Sequence, residues 1–190
     1  MSKRNHPYFS FTSMDACNLV YSCREQGKSK FDGCDRLTGK VLENLALSSD
    51  PETRRCHASH LPQVVSLQGV RFVRWQTRFF DAAPAALAVD DLETRLAVLE
   101  ATEKVIEVCG EQVRTHARPA LEMLIRLLYE YAKSGGDHRA LALTKRCFLS
   151  LSGLARDEFL VLCDGMDKVK VCDEFDSVIK EAFALPSSGS

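Results

Sequence analysis

The sequence predicts an all-α fold, and three observations predict it. Apolar residues recur at steps of three and four through most of the chain after Asp35, the spacing that puts them on one face of a helix. No stretch reads convincingly as a strand. Residues that start and stop helices fall between the periodic runs.

In chain order, residues 1–34 read as an irregular leader. Phe9, Phe11, Leu19, Val20 and Tyr21 keep no period, and Ser, Gly, Lys and Asp crowd the stretch before Cys34. From Asp35 to Leu47 the pattern turns helical, with Leu37, Val41, Leu42, Leu45 and Ala46 on one face. Ser49 or Asp50 caps the next helix, and Pro51 suits its first turn, where the missing N–H costs nothing. That helix reads as short and polar, bent or ended by Pro62, which cannot donate to the carbonyl four residues back.

Val70 to Asp81 reads VRFVRWQTRFFD. Helical spacing puts Val70, Val73, Thr77 and Phe80 on one side, with Phe72 and Phe79 nearby. Arg71, Arg74 and Arg78 fall on another side. Ala82 to Val89, with Pro84, reads as a weak helix or an ordered loop.

The stretch Asp90 to Lys133 is the clearest. Asp90 and Glu93 look like a capping box. Leu92, Leu96, Leu99, Thr102, Ile106 and Cys109 form one stripe, and Val98, Ala101, Val105 and Val108 form a second beside it. So wide an apolar arc suits a helix covered on more than one side. Gly110 stops it, because glycine tolerates positive φ. Leu121, Leu124, Ile125, Leu128 and Tyr131 stripe the following helix, with Pro119 in its first turn and Gly135-Gly136 at its end. Asp137 then caps a helix to about Leu151, broken at Gly153. A short helix covers Arg156 to Cys163, and a last one Val171 to Leu185.

That makes about seven helices, with pairs recurring roughly every 40 residues, the period of a HEAT-like α-solenoid. The pairs are not alike enough for self-similarity alone to set the period. The expected layout is a leader over 1–34, a HEAT-like helical repeat domain over 35–185 and a frayed tail over 186–190.

Composition narrows the function. At 45% hydrophobic and 27% charged the chain can build a core, and a net charge of −1 gives no global field for nucleic acid or anionic lipid. No apolar run approaches the ~18–20 residues of a membrane span. The basic N-terminus lacks the apolar run of a secretory signal. These features predict a cytoplasmic or nuclear protein, not a secreted one. The eight cysteines are scattered without a C-x-x-C, so reduced thiols are expected, with Cys109 and Cys147 as small hydrophobes on helix stripes.

Cys56, His57 and His60 could offer metal ligands, with Cys34 as a distant fourth. Their spacing does not meet the paired rule of zinc modules, and a polar helix turn is the simpler account. Cys17, Cys23 and Cys34 fit no metal module either. Neither metal nor cofactor is expected. No nucleophile elbow, phosphate-binding loop, dinucleotide glycine fingerprint or zincin helix is present, so an enzyme is not expected. Asp90-Asp91 and Asp173-Glu174 are adjacent carboxylates at helix starts, where capping explains them. Arg71, Arg74 and Arg78, with Trp75 beside them, are the candidate binding residues. With no broad basic surface around them, they point to protein recognition more than to nucleic acid.

From about Asp35 to Ala184 the chain resembles a known family. The run SSDPETRRCHASHLPQVVSLQGVRFVRWQTRFF, followed by DDLETRLAVLEATEKVIEVCGEQVRTHARPALEMLIRLLYEY, resembles the C-terminal half of the Tel-two-interacting protein two family. The matching features are the Ser-Asp-Pro helix start, the His-Leu-Pro with the arginine helix after it, and the two leucine-patterned helices. The resemblance covers about three quarters of the chain, and residues 1–34 depart from it. It implies a helical-solenoid subunit of the Triple-T complex, a co-chaperone for phosphatidylinositol 3-kinase-related kinases that works with Hsp90 and the R2TP adaptor. Partners would then be the other Triple-T subunits, those kinases and the Hsp90 machinery. The alternative is a HEAT adaptor for dynein-arm assembly or transport, since fold does not fix function.

Overall fold

The computed structural model describes residues 30–168 and 170–186. Among these residues there are α-helices and three 3₁₀ segments, and no strand. The fold is all-α. The helices are α1 (Lys30–Leu47), α2 (Pro51–Gln68), α3 (Gln76–Leu87), α4 (Leu92–Cys109), α5 (Ala117–Ser134), α6 (His138–Leu154), α7 (Arg156–Leu162) and α8 (Asp173–Ala184). The 3₁₀ segments are Gly69–Trp75, Gly110–His116 and Met166–Lys168. Most of the expected leader, and of the tail past Pro186, lies outside the described residues.

Alternate helices stack in two rows. The packing of α2 on α4, of α4 on α6 and of α6 on α8 makes one row. In the other, α1 packs on α3 and α5 on α7, and α8 also touches α5 across the rows. Antiparallel neighbours cross between the rows, α1 with α2 and α5 with α6 most extensively. Between them runs one continuous core, in which Leu45, Leu61, Phe72, Phe79, Leu99, Leu121, Leu124, Phe148 and Phe159 are fully buried. The wide arc of α4 has this cause: Leu96, Leu99, Val98, Ala101 and Val105 are all buried, because α2, α6 and α3 cover three sides of it. Leu92, assigned to that stripe, is 38% exposed, since it is the first helical residue.

Several sequence expectations are corrected. Helix α1 starts at Lys30, five residues before Asp35 and inside the expected leader. Cys34 is buried in it, and the Thr38 hydroxyl donates to the Cys34 carbonyl at 2.8 Å. Helix α2 is neither short nor ended at Pro62; it runs on to Gln68. An interior proline costs about 3 kcal/mol. Leu61, Val64 and Val65 around it are completely buried, at about 1.5–3 kcal/mol each, and together they outweigh that cost. Gly153 does not break α6, which continues to Leu154. The cap of α4 is Asp91, not Asp90: its carboxylate accepts from the Thr94 backbone N–H at 3.2 Å.

The arginine stretch is also not one helix. It begins as the 3₁₀ segment and becomes α3 only at Gln76. A 3₁₀ helix has three residues per turn, so the phase of a 3.6-residue wheel is lost across it. Phe72 and Phe79 are therefore fully buried while Val70 is 75% exposed; of the expected stripe, Phe80 stays buried and Val73 packs on the core. Ala82 to Leu87 is the second half of α3, with Ala82, Ala83, Ala86 and Leu87 buried.

The structure also exposes an internal repeat. Asp50-Pro51-Glu52-Thr53-Arg54 recurs 41 residues further on as Asp91-Leu92-Glu93-Thr94-Arg95. Each Asp caps an 18-residue helix, and each Thr hydroxyl donates back to that carboxylate. Each Arg reaches a carbonyl of the preceding loop, Arg54 to Ser48 and Arg95 to Val89. Both helices end at a glycine of near-identical geometry, Gly69 (φ 52, ψ −138) and Gly110 (φ 51, ψ −130), positive φ that a side chain would strain. A seven-residue 3₁₀ segment follows each, with one buried residue at its centre, Phe72 or Val113. The chain from α1 to Trp75 is thus a first unit, and from α3 to His116 a second.

Candidate protein-interaction surface

The first unit closes on a charged joint. Asp35 of α1 lies beside the 3₁₀ segment. Its Oδ1 accepts from Gln68 Nε2 at 2.8 Å and from the Arg74 guanidinium. Arg71 Nη2 stands 3.8 Å from Oδ2. Two arginines meet one carboxylate because residues three apart eclipse in a 3₁₀ helix. The Gln68 amide also donates to the Thr38 hydroxyl at 2.9 Å, tying the end of α2 to α1. Partial burial works to raise the Asp35 carboxyl, but the Gln68 hydrogen bond and the Arg74 guanidinium outweigh it and hold it below the usual carboxylate range.

Trp75 sits half-buried against α1. A Cβ at Gly39 would come within 3.3 Å of its ring, so glycine is what lets the indole approach. The Arg78 guanidinium lies over the outer face of the ring, 5.4 Å from its centroid, a cation–π arrangement. The four candidate residues of the sequence therefore lie side by side, Arg71 and Arg74 on Asp35 and Arg78 on Trp75. Arg71 and Arg74 keep 36% and 47% of their side chains exposed, and Val70 stands out at the start of the same segment.

The second unit builds the same joint without a carboxylate or guanidinium at the matching positions. The counterparts of Asp35, Gln68, Arg71, Arg74 and Trp75 are Gln76, Cys109, Gln112, Thr115 and His116. His116 stacks on Phe80 at 5.5 Å, as Trp75 stacks against Gly39, and its Nε2 lies 3.2 Å from the Thr77 hydroxyl. Geometry alone does not require arginine at this place in the repeat.

Other polar groups lie apart from this cluster. His57 and His60 are buried, and the Asn44 amide donates to His57 Nε2 at 3.0 Å. Among the described residues, His57 Nδ1 and His60 Nε2 have no hydrogen-bond partner. Burial lowers both imidazoles below the ordinary histidine value; His60 and Lys40 add to the effect at His57. Among the described residues no group of three or more His, Cys, Asp or Glu is arranged to hold a metal ion. Cys109, Cys147, Cys163 and Cys172 are free thiols. Burial pushes Cys109 and Cys163 up to about 11 and Cys147 up to about 12, so these three stay protonated and unreactive. A groove of about 710 Å³ where α4 begins and α5 ends is lined by Arg95, Tyr129, Tyr131 and Lys133. Sequence reasoning missed it, because Tyr131 reads there only as a stripe residue. Among the described residues no helix is long and apolar enough to cross a membrane.

The fold and the cluster define an all-helical protein of two stacked rows with a basic, tryptophan-centred joint at one unit. No family model, curated protein or solved structure matches the chain.

Proposed function

We propose that this chain is a non-enzymatic scaffold that docks other helical proteins. In the role its family resemblance implies, it is a Triple-T subunit supporting the maturation of phosphatidylinositol 3-kinase-related kinases with Hsp90 and the R2TP adaptor. One observation carries the scaffold reading. A repeat joint that has Gln112, Thr115 and His116 in the second unit is given Arg71, Arg74 and Trp75 in the first, with Arg78 over the indole. Arginine and tryptophan are enriched among the few residues that dominate binding energy at interfaces. The test is co-purification of the tagged chain from cells, with bound proteins identified by mass spectrometry. The expected result is recovery of the other two Triple-T subunits. A folded preparation that brings down dynein-assembly factors, or none of the Triple-T subunits, overturns the assignment.

A further inference from the structure

We infer that residues 16–23, which lie outside the described residues, dock on the outer side of α2 and take the next place in its row. The inference stands apart from the scaffold reading and starts from how the units stack. On α4, Leu99 and Glu103 meet α6: the Leu99 carbonyl accepts from the Cys147 thiol at 3.5 Å, and Glu103 accepts from Arg146 at 2.7 Å. Helical spacing turns Ala97, Ala101 and Val108 the opposite way, where α2 and the first 3₁₀ segment pack. Ala101 is fully buried and Val108 packs on the core. In the first unit the matching residues, 41 places earlier, are Cys56, His60 and Leu67. Among the described residues, α2 packs mainly on α1, α4 and the 3₁₀ segment, and its Arg55 reaches Asp91 of α4. Leu67 is accordingly 38% exposed where Val108 is covered, and His60 Nε2 lacks a partner among the described residues.

The order of the rows says what covers this side. Successive helices alternate between rows, α1 in one and α2 in the other, so chain arriving at α1 comes from the row of α2. It arrives at the right end, because Gln68 at the end of α2 donates to Asp35 and Thr38 early in α1. Shortly before α1, Ala16, Leu19, Val20 and Cys23 stand at i, i+3, i+4 and i+7, the spacing of an apolar helix stripe. Two turns of helix rise about 11 Å, which matches the rise from His60 to Leu67 along α2. Residues 24–29 are polar and include Gly27, a connection of the length that joins antiparallel helices.

The experiment is photo-crosslinking of the purified full chain, with benzoylphenylalanine in place of Leu67 or, in a second variant, of the exposed Gln63. The crosslinked product should have monomer mass and should join the probe to a peptide containing residues 16–23. The same probe at Leu160 of α7, which is exposed at the other end of the stack, should not reach that peptide. Leu19→Asp with Val20→Asp should reduce the crosslink about tenfold or more. It should also speed deuterium exchange at α2 amides by about tenfold while those of α5 to α8 keep wild-type rates. That contrast separates undocking from unfolding. If the Asp variant unfolds throughout, the crosslinks made without it decide. Capture of residues 16–23 from either position on α2 supports the inference. Capture from neither overturns it, whether the probe instead joins a second copy at dimer mass or joins nothing. So does an Asp variant that crosslinks and exchanges like wild type.

Discussion

The first and second units share a chain path and differ in what they put at its joints. Both use the same capping motif, an 18-residue helix, a positive-φ glycine and a seven-residue 3₁₀ segment. The second fills its interior with apolar groups: Val98 and Ala101 stand where the first has His57 and His60, and Cys109 where it has Gln68. The comparison separates what the repeat needs from what one copy adds. The caps, the glycine and the central buried residue recur, so they belong to the architecture. The charged joint and the buried histidines do not recur. They cost stability in desolvation and unpaired polar atoms, which makes them the places to look for function.

The largest expected effect tests the shared part. Phe72 is fully buried and meets Phe79 edge-on at 6.0 Å. Phe72→Ala should cost about 3–5 kcal/mol, and Val113→Ala at the equivalent place clearly less, by urea denaturation. Equal losses would mean that the volume of the central buried residue does not set what the joint contributes.

The caps come next. Asp91→Ala should cost about 1 kcal/mol through the lost cap, with a small addition because Asp91 also takes a bidentate pair from Arg55 at 2.9 and 3.1 Å. Asp50→Ala, whose carboxylate caps α2 in full solvent, should lose less. The reverse order in melting temperature would show that the Arg55 bridge between α2 and α4 contributes nothing.

A third test uses pH. His57 and His60 are held below the ordinary value, so their contribution is fully present above about pH 6.5 and is lost as the pH falls below it. His57 faces Asn44, Lys40 and His60, and no carboxylate is among the groups that shift it. The hydrogen-bonded carboxylates Asp35, Asp91 and Glu103 are shifted down, so their contribution is lost only in more acid solution. Melting temperature should therefore decline between about pH 6.5 and 5 in the wild type. A His57→Val, His60→Ala variant, carrying the second unit's residues, should stay flat over that range. A wild-type profile as flat as the variant's would remove the histidines as the cause.

The smallest stability effect has the sharpest meaning. Asp35→Gln, Arg71→Gln and Arg74→Thr together convert the charged joint to the second unit's. Exposed ion pairs contribute little, so stability should change by less than about 1 kcal/mol while partner recovery is lost. A large loss of stability with partner binding intact would make the cluster an architectural brace.

Much of the frame was legible. The caps at Asp50 and Asp137, the glycine stops at Gly110 and Gly135, and the stripes of α4, α5, α6 and α8 follow from local spacing and turn chemistry. The candidate residues could be named from their sequence, but not the carboxylate that Arg71 and Arg74 share, since Asp35 is more than 30 residues away in the chain. The repeat was also legible, in two copies of Asp-x-Glu-Thr-Arg. It was missed because the residues between them share few identities, and what they preserve is backbone geometry.

The sequence by itself determined that the chain is helical, where most helices start and stop, and which faces are apolar. Those are properties of a few neighbouring residues: side chains that cap, glycines that turn, spacings that match 3.6. Tertiary structure alone decided that α2 runs through Pro62, because the burial that offsets a proline comes from α1 and α4. It also decided that the arginine stretch is 3₁₀, because the docking of Phe72 and Trp75 on the core and on Gly39 sets its pitch. Above all, it decided that Arg71 and Arg74 converge, because Asp35 reaches them only once α1 is packed beside α2 and α3.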